Sequence, residues 1–461
     1  MKFSEFIIAH DGEDPAQLAL ARGRYAGEVA DFDLALTTLE VRRKLRDKVP
    51  EWYAVPSLRF PLRVSGEQCS STSTARYKAS VAALCTKTPL LVHGPTISPA
   101  PYTESASLVH GKRIADLTGG LGVDSWAFSQ VFEEVLYNEM RPELADAAAH
   151  NFRELGVTNI RVRNCELGMT NELCPVMAGP DRPSTVMEVL DGFRPDVLFL
   201  DPARRAADGR KVFRLEDCQP DVLQLLPELL DACPRVLLKL SPMADITLVC
   251  KQLGCVKEVH VVAADGECKE LLLLLEKDWA GPYTITIVED NAVMEIPGQA
   301  GNDNAGQEIP GQARDEEREP YSLPGQSSLI PAFEPESPVS LGNWLFEPGK
   351  AMLKAGAFEL PCRFGLTKLG QHTHLFTGTE VPAALRPFGK CYRILESAPL
   401  DKRGIKSIGH KYSKADVTAR NIPLTSDQLR AKLGVRSGGD IHVFGVRIDA
   451  LQANFLLVTS R

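Results

Sequence analysis

From Lys112 to Lys277 short apolar runs alternate with amphipathic segments, and this alternation limits the fold of the 461-residue chain more than any other feature. The runs cover 113–117, 134–138, 160–163, 196–200, 236–240, 258–262 and 270–275. Each has the length of a buried strand and is too short for a core helix. Strands that alternate with helical segments form βαβ units, so the expected fold is α/β with a mostly parallel sheet. Open parallel sheets hold their ligands just beyond the carboxyl ends of the strands. The chemistry is therefore to be sought where each apolar run stops.

The first run stops at Asp116, followed by Leu117-Thr118-Gly119-Gly120-Leu121-Gly122-Val123-Asp124 and a predicted helix. Glycine lets the backbone turn sharply and approach a ligand closely. A dinucleotide fingerprint would use such a turn to hold a pyrophosphate, which a carboxylate at the strand end would repel. Asp116 would instead attract an amino group, such as the one that accompanies the sulfonium of S-adenosylmethionine. The second run ends at Tyr137-Asn138-Glu139, 23 residues beyond Asp116. An acidic group there can accept hydrogen bonds from both ribose hydroxyls of a nucleoside cofactor; it can equally be a solvated helix start. After the third run, Asn164-Cys165-Glu166 stands where an adenine amino group would be met.

The fourth run ends in Asp201-Pro202-Ala203-Arg204-Arg205. A carboxylate and a rigid turn at that strand end can fix an acceptor within reach of a methyl donor. Arg204 and Arg205 offer bidentate hydrogen bonds to a phosphate or carboxylate, or they pair with Glu216 or Asp217. In the fifth run Lys239 interrupts apolar residues. A buried ammonium needs a partner, and Asp201 on the adjacent strand end is one; the alternative is that Lys239 snorkels to the surface. Upstream, the Ser/Thr-rich stretch 65–75 leads into Arg76, Tyr77 and Lys78. It reads as helix capping, or as residues facing a donor pocket or an acceptor phosphate.

Hydrophobic residues make up 44% of the chain and charged residues 24%, which excludes a mostly disordered protein. No apolar run approaches the ~18 residues of a membrane span, and no signal-peptide core follows Met1, so a cytoplasmic protein is expected. The eleven cysteines include no C-x-x-C pair, which argues against a zinc or disulfide scaffold. The net charge of −8 is unevenly spread. Residues 386–461 hold 14 Lys+Arg against 6 Asp+Glu, a net of +8, while 289–336 holds 11 acidic and 2 basic residues. The latter stretch repeats an Ile/Leu-Pro-Gly-Gln unit at 296–299, 309–312 and 323–326 and reads as a disordered insertion. The basic end, with Lys402, Arg403, Lys406, Lys411, Lys414 and Arg420 around Gly404, Gly409 and His410, has the charge of a phosphate-backbone binder. Tyr412 among them is suited to stack on a base.

The order Asp-x-Thr-Gly-Gly-x-Gly, strand, acidic residue, strand, polar turn resembles class I S-adenosylmethionine-dependent methyltransferases over about 105–280. This resemblance implies a Rossmann-like seven-stranded methyltransferase sheet. It also implies a donor held by Asp116, Thr118, Gly119, Gly120, Gly122, Asp124, Glu139, Cys165 and Glu166, with Asp201, Pro202, Arg204 and Lys239 at the acceptor. Ala203 and Arg204 depart from the Asp-Pro-Pro-aromatic pattern of exocyclic-amine methylation. Glu67-Gln-Cys-Ser-Ser71, Asp201-Pro-Ala-Arg-Arg205, Lys239-Leu-Ser-Pro242, Asn343-Trp-Leu-Phe-Glu-Pro-Gly-Lys350 and Lys414-Ala-Asp-Val-Thr-Ala-Arg-Asn421 are similar to a narrower bacterial family of candidate methyltransferases. Its downstream part is ferredoxin-like and then THUMP-like, a name that implies RNA. The expected organisation is an N-terminal helical region at 1–95 and a methyltransferase domain at 96–280. A ferredoxin-like domain at 281–387, with the acidic insertion at about 291–338, and a basic THUMP-like domain at 388–461 complete it. The expected function is S-adenosylmethionine-dependent methylation of a nucleotide in structured RNA, tRNA or rRNA, with no membrane partner. Two alternatives stay open: a small-molecule or protein acceptor, and a non-catalytic RNA-binding protein with a vestigial donor pocket.

Overall fold

The computed structural model describes residues 1–25, 27–86, 111–168, 184–204, 215–290, 292–297 and 341–460. They belong to two compact units, Met1–Gly298 and Gln299–Arg461.

The first unit opens with helices. The longest, Phe32–Lys48, starts where the Asp31 carboxylate accepts the Leu34 N–H. Its apolar stripe serves two cores. Leu36 and Leu39 pack with Phe6, Ile7 and Leu18, whereas Val41 and Leu45 join Trp52 and Phe60 in the larger core against the sheet. The helix Thr72–Cys85 is held at its start by a capping box between Ser71 and Thr74. Its buried side is mostly alanine, at Ala75, Ala79, Ala82 and Ala83, which lets the backbone pack closely in that core beside Val123, Trp126 and Ala127. Residues 65–68 end the short helix Arg63–Gln68, and Ser71 then caps Thr72–Cys85, one of the two readings that the Ser/Thr composition of 65–75 allows.

The strands of this unit are Gly111–Asp116 (β1), Phe132–Asn138 (β2), Ile160–Arg163 (β3), Val197–Leu200 (β4), Ala203–Arg204 (β5), Cys218–Gln219 (β6), Arg235–Leu240 (β7), Val256–Ala264 (β8), Glu267–Glu276 (β9), Thr284–Glu289 (β10) and Ala292–Pro297 (β11). All seven apolar runs are strands. In the sheet they stand in the order β8-β9-β7-β4-β1-β2-β3, with β9 antiparallel between β8 and β7. The chain reverses from β1–β2–β3 on one side to β4 and β7 on the other, so β1 and β4 flank the topological switch. Two further strands extend the expected seven: β10 pairs parallel with β8, and β11 pairs antiparallel with β10. Residues 284–297 therefore belong to this first sheet, although the expected domain boundary lay near 280 and the insertion began at 291. β5 and β6 form a separate two-stranded hairpin just past the end of β4.

The second unit contains Trp344–Pro348 (β12), Thr367–Lys368 (β13), Phe376–Gly378 (β14), Gly389–Pro399 (β15), Asp416–Arg420 (β16), Ile441–Ile448 (β17) and Ala453–Ser460 (β18). They form one sheet in the order β13-β14-β12-β15-β18-β17-β16. The alternation along β17 and β18 sends Phe444, Val446 and Leu457 into one core, and Val443, Leu456 and Val458 into another under the helices Lys402–Lys411 and Ser426–Leu433. Because β12 pairs with β15, no break in the sheet separates 344–384 from 389–461. No helix among the described residues is long and apolar enough to cross a membrane.

Candidate active site

The glycine-rich turn after β1 is fixed from both sides. Asp116 is buried, one carboxylate oxygen accepting the Thr118 N–H at 3.1 Å and the other the Ser125 hydroxyl at 2.6 Å. Burial pushes its pKa up to about 8; the Ser125 and Thr118 hydrogen bonds oppose this, and the charges of Asp124 and Asp201 add to it. Thr118 turns its hydroxyl to accept the Asp201 N–H at 2.7 Å, so it ties the turn to the end of β4. Gly119 lies against the Tyr137 ring, where a Cβ would come within 2.1 Å of the ring carbons. Gly120 and Gly122 have φ of +54° and +94°, a region that favours glycine, and Gly122 precedes the helix Val123–Ser129.

Glu139, past the end of β2, is also mostly buried. One oxygen accepts the Gly120 N–H and the other the Arg141 N–H, each at 2.9 Å. Asn138 just before it donates to the carbonyls of Leu117 and Cys165 and accepts the Cys165 N–H. One buried amide thus joins the ends of three neighbouring strands. Cys165 is held through its backbone and is half-buried; Glu166 is exposed beside it. The ends of β1, β2 and β3 therefore bring together Asp116, Gly120, Glu139 and Cys165.

On the other side of the switch, Lys239 in β7 reaches Asp201, with Nζ 2.5 Å from a carboxylate oxygen. Its side chain is only 15% exposed, so it does not snorkel. Burial pulls the ammonium pKa down, but Asp201, Glu270 and Asp124 together hold it above its ordinary value. Arg204, two residues after Pro202, is the strand residue paired with Cys218; Arg205 lies outside the described residues.

Asp124 departs from its expected donor role. Its carboxylate turns toward the helix Thr72–Cys85, accepting the Ser70 hydroxyl at 2.9 Å and lying 3.2 Å from Lys78 Nζ. Lys78 is fully buried and also reaches both oxygens of Glu270, at 2.9 and 3.0 Å, and the Ser70 hydroxyl at 2.7 Å. Its neighbours face other partners: Arg76 pairs with Glu51, and Tyr77 hydrogen-bonds His260. Glu270 has no apolar-run or motif signal of its own beyond standing at a strand start. Lys78 is one of the three residues that the sequence offers to a donor pocket or an acceptor phosphate, and nothing in the sequence points to its partners Asp124 and Glu270.

A cleft of about 840 Å³ opens beside this cluster. Lys239 and Glu270 form part of its wall, together with the five consecutive hydroxyl residues Ser70–Thr74. In the second unit, a shallower hollow of about 460 Å³ lies between the helices Lys402–Lys411 and Ser426–Leu433. Lys402, Lys406, His410 and Lys432 line it. Of the other basic residues there, Lys411 pairs with Glu396 and lies over the Tyr412 ring, and Arg420 pairs with Glu347.

Two stretches of the chain match known domain families: 344–384 a ferredoxin-like domain, and 389–461 a THUMP domain-like family. No curated protein sequence matches the chain. Among solved structures, a candidate methyltransferase from Porphyromonas gingivalis W83 superposes with a TM-score of 0.70 at 24% identity, covering 100% of this chain and 97% of that one. At that identity the likeness is one of fold. TrmK of M. capricolum, solved with S-adenosylhomocysteine, gives 0.25 at 11% identity, over 38% of this chain and 66% of its own. The T. thermophilus 16S rRNA N2 G1207 methyltransferase gives 0.26 at 14% identity, over 36% and 38%.

Proposed function

We propose that the protein is an S-adenosylmethionine-dependent methyltransferase that modifies a nucleotide in structured RNA. The observation that carries this reading is the pair of buried carboxylates, Asp116 and Glu139, on adjacent parallel strand ends with the glycine turn between them. Glu139 has one N–H on each oxygen, which leaves lone pairs for two ribose hydroxyls. In this reading Asp116 and the backbone of Thr118–Gly122 meet the methionine end of the donor. Cys165 and Glu166 border its adenine. Asp201, Pro202 and Arg204 meet the acceptor, with Lys239 behind Asp201. Asp124 holds the turn from the far side, through Ser70 and Lys78. The basic hollow at Lys402, Lys406 and Lys432, within the THUMP domain-like stretch, supports RNA as the acceptor molecule.

Calorimetric titration of the full chain with S-adenosylhomocysteine tests the donor. Micromolar or tighter binding is expected, and Glu139→Ala should weaken it by roughly 10–100-fold, because hydrogen bonds to a charged group contribute about 1.5–3 kcal/mol. No binding by the wild type, or equal binding by the variant, would remove the reading.

A further inference from the structure

We propose that the methyl group goes to a hydroxyl, the ribose 2′-hydroxyl of RNA, and that Asp201 and Lys239 act on it while Lys78 and Glu270 position them. The inference rests on the methyltransferase reading above and names its acceptor group.

Four charged side chains come from the ends of β4 and β7, the start of β9 and the helix Thr72–Cys85. Asp201 pairs with Lys239, and Glu270 with Lys78. In the antiparallel register Lys239 stands opposite Leu272, so Glu270, two residues earlier, projects from the same face of the sheet. Buried ion pairs are a poor way to stabilise a core, since apolar packing does as well. One member of each pair, Lys239 and Glu270, stands in the wall of the same cleft, with Asp201 and Lys78 behind them.

The cleft favours a sugar hydroxyl over a base or a phosphate. Its lining holds five cationic and five anionic residues, so it offers no net attraction to an anion. It includes no aromatic ring among the described residues, so nothing there stacks on a base. Much of its remaining wall is the row Ser70–Thr74, whose hydroxyls are bonded to Asp124, Lys78, Glu51 and one another and make a polar, uncharged surface. An amine attacks with its own lone pair. A hydroxyl is a weak nucleophile at neutral pH and needs a base together with a cation for the charge that develops on oxygen. Asp201 and Lys239 supply that combination.

In the step, the hydroxyl oxygen attacks the methyl carbon of the sulfonium. The O–C bond forms as the S–C bond breaks, and its electron pair stays on sulfur, leaving a neutral thioether. The hydroxyl proton passes to the Asp201 carboxylate. Lys239 donates a hydrogen bond to the oxygen as charge builds, and Glu270, held by Lys78, keeps Lys239 protonated.

The test uses the full chain, S-adenosylmethionine with a trideuterated methyl group, and total RNA from cells in which the gene has been deleted. After digestion to nucleosides, tandem mass spectrometry should find the label on the sugar fragment. Label on a base, or no label while donor binding persists, would overturn the inference and leave the donor reading standing. Loss of donor binding itself is the separate failure of that reading. Asp201→Asn and Lys239→Met should each lower kcat by about 10²–10⁴-fold with donor Kd within about twofold of wild type, and either one that folds decides the point. Transfer at wild-type rate in a folded variant removes the assigned role. Glu270→Gln should move the alkaline fall of the rate to lower pH, because one of the carboxylates that hold the Lys239 proton is gone. An unmoved limb would make Glu270 and Lys78 structural only.

Discussion

Asp116 has both carboxylate oxygens occupied by neutral donors and no cation in contact among the described residues, and burial pushes its pKa up to about 8. An acid whose pKa is raised by folding from 3.8 stabilises the fold fully below pH ~4, and that contribution is lost as pH rises toward about 8. Asp116→Asn keeps the shape and removes the titration. The ligand-free variant should therefore melt above the wild type at pH 8, by an amount corresponding to a few kcal/mol, and the gap should close toward pH 4. A cationic amino group arriving at Asp116 reverses the balance and draws its proton off. Affinity for S-adenosylhomocysteine should then rise with pH between about 5 and 8 in the wild type and stay flat in Asp116→Asn. Calorimetry in buffers of different ionisation heat would read the released proton directly, and a pH-independent affinity would contradict it. Asp116 and Glu139 are legible in the sequence because each follows an apolar run and the 23-residue spacing matches one βα unit. Lys239 stands out as a charge inside such a run. Lys78 and Glu270 are 192 residues apart, and nothing local to either announces the other. The bridging role of Asn138 is equally hidden, since it depends on which strands flank β2.

At the scale of elements, the turn between β1 and the helix Val123–Ser129 is shaped by contact as much as by torsion. Gly119 needs no unusual φ, yet its missing Cβ makes room for the Tyr137 ring. That ring cannot yield easily: it is fully buried, and its hydroxyl holds the Gly120 carbonyl at 2.6 Å. Gly119→Ala should therefore cost about 1–3 kcal/mol, seen as a lower denaturant midpoint at unchanged m-value, and should weaken donor binding as the turn shifts. Gly156→Ala is the control. It has φ of +71° but nothing within 4 Å of a Cβ, so its cost should be limited to about 1 kcal/mol of backbone strain and leave the donor site untouched. Equal effects of the two would mean that the Tyr137 contact is unimportant. The seven strands were legible because each is a short apolar run bounded by polar residues. β10 and β11 were not fully so. Their apolar side is clear at Ile285, Ile287 and Met294, but Asp290, Asn291 and the following Pro-Gly repeat resemble the start of a linker. Pairing with the edge of β8 decides the matter, and pairing is not written locally.

For the whole molecule, the sum of −8 conceals a division of charge that matters more than the total. The basic terminal stretch does not present all its cations alike. Lys411 and Arg420 are committed to Glu396 and Glu347, while Lys402, Lys406 and Lys432 border the hollow between two helices, with no salt bridge among the described residues. The sequence made the cluster countable, but it could not tell the committed cations from the available ones. That depends on Glu396 of β15 reaching the helix Lys402–Lys411 and Glu347 of β12 reaching Arg420 at the end of β16. The division predicts how the chain should hold RNA. Each phosphate neutralised releases counterions, so log Kd should rise steeply and linearly with log salt. Replacing Lys402, Lys406 and Lys432 together by Gln should reduce that slope by about 0.7–0.9 per lost contact, so by roughly two units. Affinity for S-adenosylhomocysteine should remain as in the wild type. Replacing Lys411 and Arg420 instead should change the slope far less, because those charges are already balanced within the unit. Filter-binding titrations of total tRNA between 50 and 200 mM salt (the order of concentration over which backbone contacts show their effect) would distinguish the two sets. If both triple and double variants change the slope alike, charge number and not the hollow governs binding. If the wild type binds independently of salt, the basic stretch is a solvated face, and the acceptor must be sought among molecules without a phosphate backbone.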